Sequence, residues 1–285
     1  MSSTPERGVL WLVATPIGNL ADLTDRAVET LRRADLILAE DTRHTRTLLA
    51  RFDIHRPLES FDAHKERRAA ERIVERLAGG AAVALVSDAG MPGVSDPGAR
   101  LVRLALDAGL RVSPIPGPSA VACAAAAAGV EGPFRFGGFL ARKGGERRRE
   151  LTALRAETVP VVLFESPKRL GETLTELAGV LGAERRAVVC RELTKLHEEV
   201  IAGTLESLAS RFSGEVLGEV TFVVFPPEGA GDSGADATAP GRGQDPRVLA
   251  ARLREEGLPP SRISRVLEDL LGLPHKEAYR IAHGE

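Results

Sequence analysis

A chain of 285 residues, 43% hydrophobic and 27% charged, has the length of roughly two domains and enough apolar mass to bury a core without disulfide staples. Its longest apolar stretch, Val121 to Val130, is mostly alanine and too short for a bilayer, and Met1 to Gly8 is polar, so the expectation is a cytoplasmic protein with no membrane partner. A net charge of −2 gives no hint of a polyanionic partner, and with 4% aromatic residues the chain is not expected to rely mainly on stacking bases on rings.

From the N-terminus, Val9 to Ala14 reads as a buried strand followed by the loop Thr15-Pro16-Ile17-Gly18-Asn19. A helix is expected over Asp25 to Arg33 and a strand over Asp35 to Ala39. Ala81 to Val86 and Arg111 to Ile115 are two more strand-like runs, with an amphipathic helix over Gly98 to Ala108 between them. This alternation implies a mainly parallel sheet covered on both faces, an α/β domain at 1–117. A second α/β domain at 118–226 opens with an alanine-rich helix after Pro118. Its strands are expected at Pro160 to Phe164, Ala187 to Cys190, Glu199 to Thr204 and Gly218 to Phe225, with helices over Glu146 to Glu157 and Lys168 to Leu181. The short loops after Arg186 suggest a mixed sheet. Composition then turns to Gly, Ala, Pro and Asp, a flexible linker at 227–246. A helical domain at 247–285 follows, with helices over Val248 to Glu256, Ser261 to Leu271 and Lys276 to His283. Cys123 and Cys190 both sit in apolar runs and read as reduced, buried thiols.

Five loops after predicted strands are dense in Gly, Pro and small polar residues: Thr15 to Asn19, Ser87 to Pro92, Pro116 to Ala120, Glu165-Ser166-Pro167, and Arg191 to Lys195. Ligands of α/β proteins collect outside the carboxyl ends of strands, and small residues there let a ligand approach the backbone. Any one such loop is more often an ordinary turn; five together point to a cleft. The glycine fingerprints of dinucleotide and P-loop sites, zinc spacings of Cys and His, and a hydrolase nucleophile elbow do not occur. Group transfer without a metal site stays open, and periodicity and spacing alone do not say which group.

The blocks Ala14 to Leu20, Ala39-Glu40-Asp41-Thr42-Arg43-His44-Thr45, Ser87 to Pro92, Pro116-Gly117-Pro118 and Arg191-Glu192-Leu193-Thr194-Lys195 resemble, in order and spacing, the hallmark blocks of the ribosomal RNA small-subunit methyltransferase I family. The likeness covers about Val9 to Phe225, and the C-terminal helices resemble that family's appended helical domain. It implies a tetrapyrrole-methylase-like fold of two α/β domains, S-adenosylmethionine in the cleft between them, and a homodimer. It further implies methylation of the ribose 2′-oxygen of a cytidine in the decoding centre, on small-subunit ribosomal RNA or the 30S subunit. Asp88, Gly90, Ser119 and Ala120 are then expected at the cofactor, with Phe164, Leu193 and Thr221 flanking it. Pro16 and Ile17 replace the glycine-rich first loop of the tetrapyrrole enzymes. Met91 stands where the family has Thr, and Asp62 and Lys65 where it more often has His and Asn.

A ribose hydroxyl is a poor nucleophile, so the enzyme must align it with the methyl carbon and help remove its proton. Glu40, Asp41, Glu165 and Glu192 are the candidate carboxylates, with Lys195 and Arg43 placed to orient phosphate or the nucleophile. Asp41 is equally suited to cap a helix starting near Thr42, and Glu192 to pair with Arg191. For RNA, Arg142, Lys143, Arg147, Arg148 and Arg149 are the first candidates. They belong to a stretch, Arg135 to Arg155, with seven basic residues against two acidic ones. Arg43, His44 and Arg46 form a second group, and Arg262, Arg265, Lys276 and Arg280 a third on the C-terminal helices. Rival readings are a methylase of a tetrapyrrole or protein side chain, and a silent RNA-binding scaffold with no use for a cofactor cleft.

Overall fold

The first apolar runs become strands β1 (Val9–Val13), β2 (Leu36–Ala39), β3 (Leu58–Ser60), β4 (Ala82–Val86) and β5 (Arg111–Ile115) in the computed structural model, which describes residues 8–227, 246–255, 257–271 and 273–283. They form one sheet in the order β3-β2-β4-β1-β5, and every pairing in it is parallel. Four helices cover it: α1 (Asp25–Arg33), α2 (Thr42–Arg51), α3 (Ala63–Ala78) and α4 (Ala99–Asp107). Alternate strand residues serve opposite faces. Val9, Trp11 and Val13 pack with Leu31 and Leu48 on one side, while Leu10, Val83 and Leu85 pack with Ile73, Leu77 and Leu101 on the other. Burial on both faces is why these strands read as unbroken apolar runs. Thr24 starts α1 by accepting the Ala27 N–H through its hydroxyl.

The second sheet has strands β6 (Arg135–Phe139), β7 (Val161–Glu165), β8 (Arg186–Arg191), β9 (Glu199–Thr204) and β10 (Val220–Val224), ordered β6-β7-β10-β8-β9. Only β6 and β7 run parallel, so the sheet is mixed as expected. Helix α5 (Ala120–Ala127) lies on one face, where Ala124 and Ala125 meet Val162, Val188 and Cys190; burial pushes the Cys190 thiol up to about 11. The other face packs Leu163, Val189 and Phe222 against α6 (Gly144–Ala153), α7 (Leu170–Leu181) and α8 (Leu205–Arg211). The first sheet ends at Ile115 and α5 begins at Ala120, on either side of Gly117.

Four elements are not expected from the sequence: β3, β6, α3 and the seven-residue α8. Strand β3 is three residues long. Strand β6 carries Gly137 and Gly138 at a register shift, and α3 is so dense in charge that its stripe of Ala70, Ile73 and Leu77 is masked. The helix expected from Lys168 instead begins with a 3-10 turn at Pro167–Arg169, because Pro167 has no N–H to give and starts the turn.

The chain divides into two units, Met1–Glu228 and Gly229–Glu285, the first holding both sheets. In the second, helices α9 (Pro246–Glu255), α10 (Pro260–Leu271) and α11 (His275–His283) close over Ala250, Ile263, Leu267 and Ile281. Residues 228–245 of the expected linker lie outside the described residues. Among the described residues, no helix is long and apolar enough to cross a membrane.

Candidate functional site

Because the first sheet is all parallel, the loops leaving β1, β2, β4 and β5 emerge along one edge: Thr15 to Asn19, Glu40-Asp41, Ser87 to Met91 and Pro116 to Ser119. The second sheet presents a matching edge. Register pairs Val220, at the start of β10, with both Glu165, at the end of β7, and Arg191, at the end of β8. Glu165 to Pro167, Arg191 to Lys195 and Gly218-Glu219 are therefore neighbours. These two edges, both within the first unit, line two adjoining cavities.

The first cavity, about 340 Å³, is within the size range of small-molecule sites. Its walls include Ile17, Gly90, Met91, Asp96, Ser119, Ala120, Phe139, Phe164, Glu219 and Thr221. Phe164 is braced edge-on by Phe136 at 4.9 Å and tilted against Phe139 at 5.3 Å, and Phe139 is more than half exposed. Ser119 caps α5 by accepting the Ala122 N–H. Gly90 sits at φ +80° and forms an isolated bridge with Thr15, whose hydroxyl donates to the Ser87 carbonyl. The second cavity, about 490 Å³, shares Ile17, Ala89 and Glu219 with the first and adds Thr15, Pro16, His44, Arg51, Asp88 and Lys195.

Of the residues the resemblance assigned to a cofactor, Ile17, Gly90, Ser119, Ala120, Phe164 and Thr221 line the first cavity. Pro16 and Asp88 line the second, and Asp88 Oδ1 accepts the Asp41 N–H at 3.1 Å. Leu193 packs into the core beneath α5. Asp96, Phe139 and Glu219 were not anticipated.

The candidate carboxylates separate by environment. Asp41 caps α2 by accepting the Arg43 N–H and pairs with the exposed Arg43 guanidinium at 2.8 Å, bonds that hold its carboxyl far below the usual range. Glu192, at φ +54°, accepts from Lys195 Nζ at 2.7 Å and from the Glu219 N–H; Lys195 chiefly lowers its carboxyl. Its partner is Lys195 rather than Arg191, because Arg191 is turned to Glu199. Burial works against the Lys195 ammonium, but bonds and charge from Glu192 and Glu219 outweigh it and hold the group protonated. Glu165 is 1% exposed; Ser166 N–H and the Thr173 hydroxyl occupy its two oxygens, and Arg169 stands at 3.4 Å, so it serves the fold. Glu40 alone is raised, by burial and then by Asp96, Asp88 and Asp62, and its side chain makes no hydrogen bond among the described residues. Burial likewise raises Asp96, opposed by a Ser87 bond and aided by Asp88.

The expected basic surface also divides. Arg142, Lys143, Arg148 and Arg149 are exposed and pair with no carboxylate among the described residues. Arg147 does not belong with them. Its side chain is 6% exposed and bonds Glu176 at 2.6 Å, Thr173 Oγ1 at 2.8 Å and the Ala141 carbonyl at 3.0 Å. A guanidinium so enclosed has no face left for phosphate.

A family model described as "Tetrapyrrole (Corrin/Porphyrin) Methylases" matches residues 9–209. The chain is 46% identical over 281 residues to the Ribosomal RNA small subunit methyltransferase I of Xylella fastidiosa, covering 97% of this chain and 99% of that one. It is 41% identical over 284 residues to the protein of the same name from Synechocystis sp., covering 96% and 97%. Among solved structures, it resembles a cobalamin biosynthetic cobalt precorrin-4 methyltransferase (18% identity, TM-score 0.59, covering 79% of this chain and 98% of that one). A diphthine synthase resembles it equally (19% identity, TM-score 0.59, 76% and 90% covered), and at such identities both show the fold alone.

Proposed function

The chain belongs to the ribosomal RNA small subunit methyltransferase I family, and from that premise we propose that it methylates the ribose 2′-oxygen of a cytidine in the decoding centre of 16S ribosomal RNA, with S-adenosylmethionine as donor. The observation that carries the reading is the pair of adjoining cavities. One is walled by Phe164, Phe139 and small loop residues; the other is rimmed by His44, Arg51 and Lys195, and they meet at Ile17, Ala89 and Glu219. A donor in the first and a nucleotide in the second stand in contact.

The first cavity suits this donor. Its aromatic wall takes a planar ring, and its small residues admit a ligand close to the backbone. Asp96 lines this cavity and is raised by burial and then by the charge of Asp88, a repulsion that a bound cation relieves. Bound S-adenosylmethionine supplies an electrophilic methyl carbon on a positively charged sulfur.

The chain's own work is placement and proton handling. Lys195, locked between Glu192 and Glu219, offers a fixed positive charge to a phosphate or ribose oxygen in the second cavity. Asp41, Glu165 and Glu192 are committed to partners. Within this proposal the acceptor of the ribose proton is Glu40, the candidate carboxylate with no hydrogen-bond partner among the described residues, which adjoins the Asp41 N–H held by Asp88 of the second cavity. Arg142, Lys143, Arg148 and Arg149 hold flanking phosphates. Pairing of two copies and a cytoplasmic location belong to the same reading, and light scattering of the full chain checks the first.

The test is transfer of a tritiated methyl group to purified small subunits that lack the modification, followed by nucleoside analysis. Label in 2′-O-methylcytidine is expected. Intact donor binding with no label in RNA would move the activity to a tetrapyrrole or protein substrate.

A further inference from the structure

Helix α11 of the C-terminal unit buries Ala278, Ile281 and Ala282 and leaves His275, Tyr279 and His283 outside. Four-residue spacing stacks these rings along one face of the helix. Their centroids lie 6.4 Å apart from His275 to Tyr279 and 4.1 Å apart from Tyr279 to His283. Tyr279 is 51% exposed and the His275 side chain 76%. The column is also braced. His275 Nδ1 donates to Glu268 Oε1 at 2.7 Å, and His283 Nδ1 donates to the Tyr279 carbonyl at 2.9 Å. Each Nε2 is without a partner among the described residues. Lys276 and Arg280 follow directly after two of the rings, both exposed and neither paired with a carboxylate among the described residues.

Composition argues against ring stacking as the chain's main mode of recognition. The percentage counts Phe, Trp and Tyr wherever they stand. Tyr279 is the only tyrosine, and histidines on either side extend it into a column that the percentage omits. A fixed, solvent-facing run of π faces beside free cations has the chemistry of surfaces that bind unpaired bases, which stack on rings while cations meet the flanking phosphates. The column is bordered by the exposed cations Lys276 and Arg280, whose charge suits the phosphates that flank a stacked base.

We propose that the His275–Tyr279–His283 face of the C-terminal unit is a stacking platform for unpaired bases of the RNA, separate from the cavities where the methyl group moves. The proposal rests on RNA being the substrate. Because every base has a π face, the platform adds affinity for single-stranded segments and leaves choice of nucleotide to the cleft.

The single tyrosine makes the test direct. The full chain, grown with 3-fluorotyrosine, carries one 19F resonance, and it is titrated with an unstructured RNA of about twelve nucleotides, within the range of known single-strand sites. The resonance is expected to shift and saturate. Fluorescence anisotropy with the same RNA should show Tyr279→Ala binding about tenfold more weakly at an unchanged salt slope, with Tyr279→Phe close to the parent. Lys276→Ala with Arg280→Ala should lower the slope instead. A resonance that saturating RNA leaves unmoved, or Tyr279→Ala binding as the parent does, overturns the platform. So does a resonance that moves with protein concentration alone, which makes the face a contact between copies. Binding is read apart from catalysis: Tyr279-dependent RNA binding in a chain that methylates no RNA supports the platform while sinking the substrate reading.

Discussion

Asp88 Oδ1 accepts the backbone N–H of Asp41 at 3.1 Å, tying the loop after β4 to the loop after β2 across the mouth of the second cavity. One carboxylate thus fixes the peptide that joins Glu40 to the cap of α2. Asp88→Ala leaves that N–H without its acceptor, a loss of about 1 kcal/mol, the low end of the range for buried donors because the bond is only part-buried. Because the same loop gives Ala89, Gly90 and Met91 to the first cavity, donor affinity in titration calorimetry is expected to fall about tenfold. Asp88→Asn keeps an acceptor oxygen and most of the affinity. An unchanged titration for the alanine variant takes Asp88 out of the site.

Glu40 gives a prediction in pH. Its folded pKa lies above the ordinary 4.5, so the folded state binds its proton more tightly than the unfolded chain does. The sign follows: stability from this group is highest below pH 4.5 and falls as pH rises through the raised folded value. Glu40→Gln should therefore melt slightly higher than the parent at pH 7, and the difference should vanish as the pH is lowered toward 4. If Glu40 also accepts the ribose proton, transfer by Glu40→Gln drops about a hundredfold while donor affinity holds. A variant that methylates at the parental rate returns the search for the base to the other carboxylates.

The basic segment should split in two under mutation. Replacing Arg142, Lys143, Arg148 and Arg149 by Ala is expected to weaken RNA binding and flatten its salt dependence, with melting temperature and donor affinity intact. Arg147→Ala should do the reverse. It abandons Glu176 and Thr173 around a buried site, at about 2–3 kcal/mol, below the full range for buried pairs because Glu176 is 38% exposed. That corresponds to a melting temperature lower by roughly 5–10 °C. Equal salt slopes for the quadruple variant and the parent would falsify the phosphate role.

Gly218 lies at φ +95°, and a Cβ there would run into the Glu192 side chain. Gly218→Ala is expected to displace Glu192, free Lys195 and distort the first cavity, which Gly218 lines. Stopped transfer together with a lower melting temperature is the expected result. Lys195→Met should instead raise KM for RNA and leave donor affinity unchanged. If Lys195→Met weakens donor binding alone, Lys195 belongs to the first cavity rather than the second.

How far the sequence could be read depended on which physical signal each residue left. Leu10, Val83 and Leu85 sit in strands buried on both faces, and such runs are visible at once; β6 hides because Gly137 and Gly138 bend it out of pattern. Gly90 and Ser119 follow strands and Phe164 stands near the carboxyl end of β7, where the rule about carboxyl ends looks for them. Gly218 and Glu219 precede a strand, and only the antiparallel register of β10 brings that end to the cleft. Asp96 lies in the same loop between β4 and α4, beyond the stretch Ser87 to Pro92 that the sequence singles out. The burial of Arg147 left a signal: it shares a helical face with Leu151 and Leu154, both in the core.

That enclosed arginine has a wider effect. Through Thr173 it is linked to Glu165, whose backbone ends β7 and whose side chain borders the first cavity. Helix α6, with Arg148 and Arg149 on its outside, is thereby bolted to the floor of the cleft. For an RNA held as proposed, the span from grip to delivered methyl is set by the fold rather than by a loop. The nucleotide that the cleft admits must then also lie at that fixed distance from the grip.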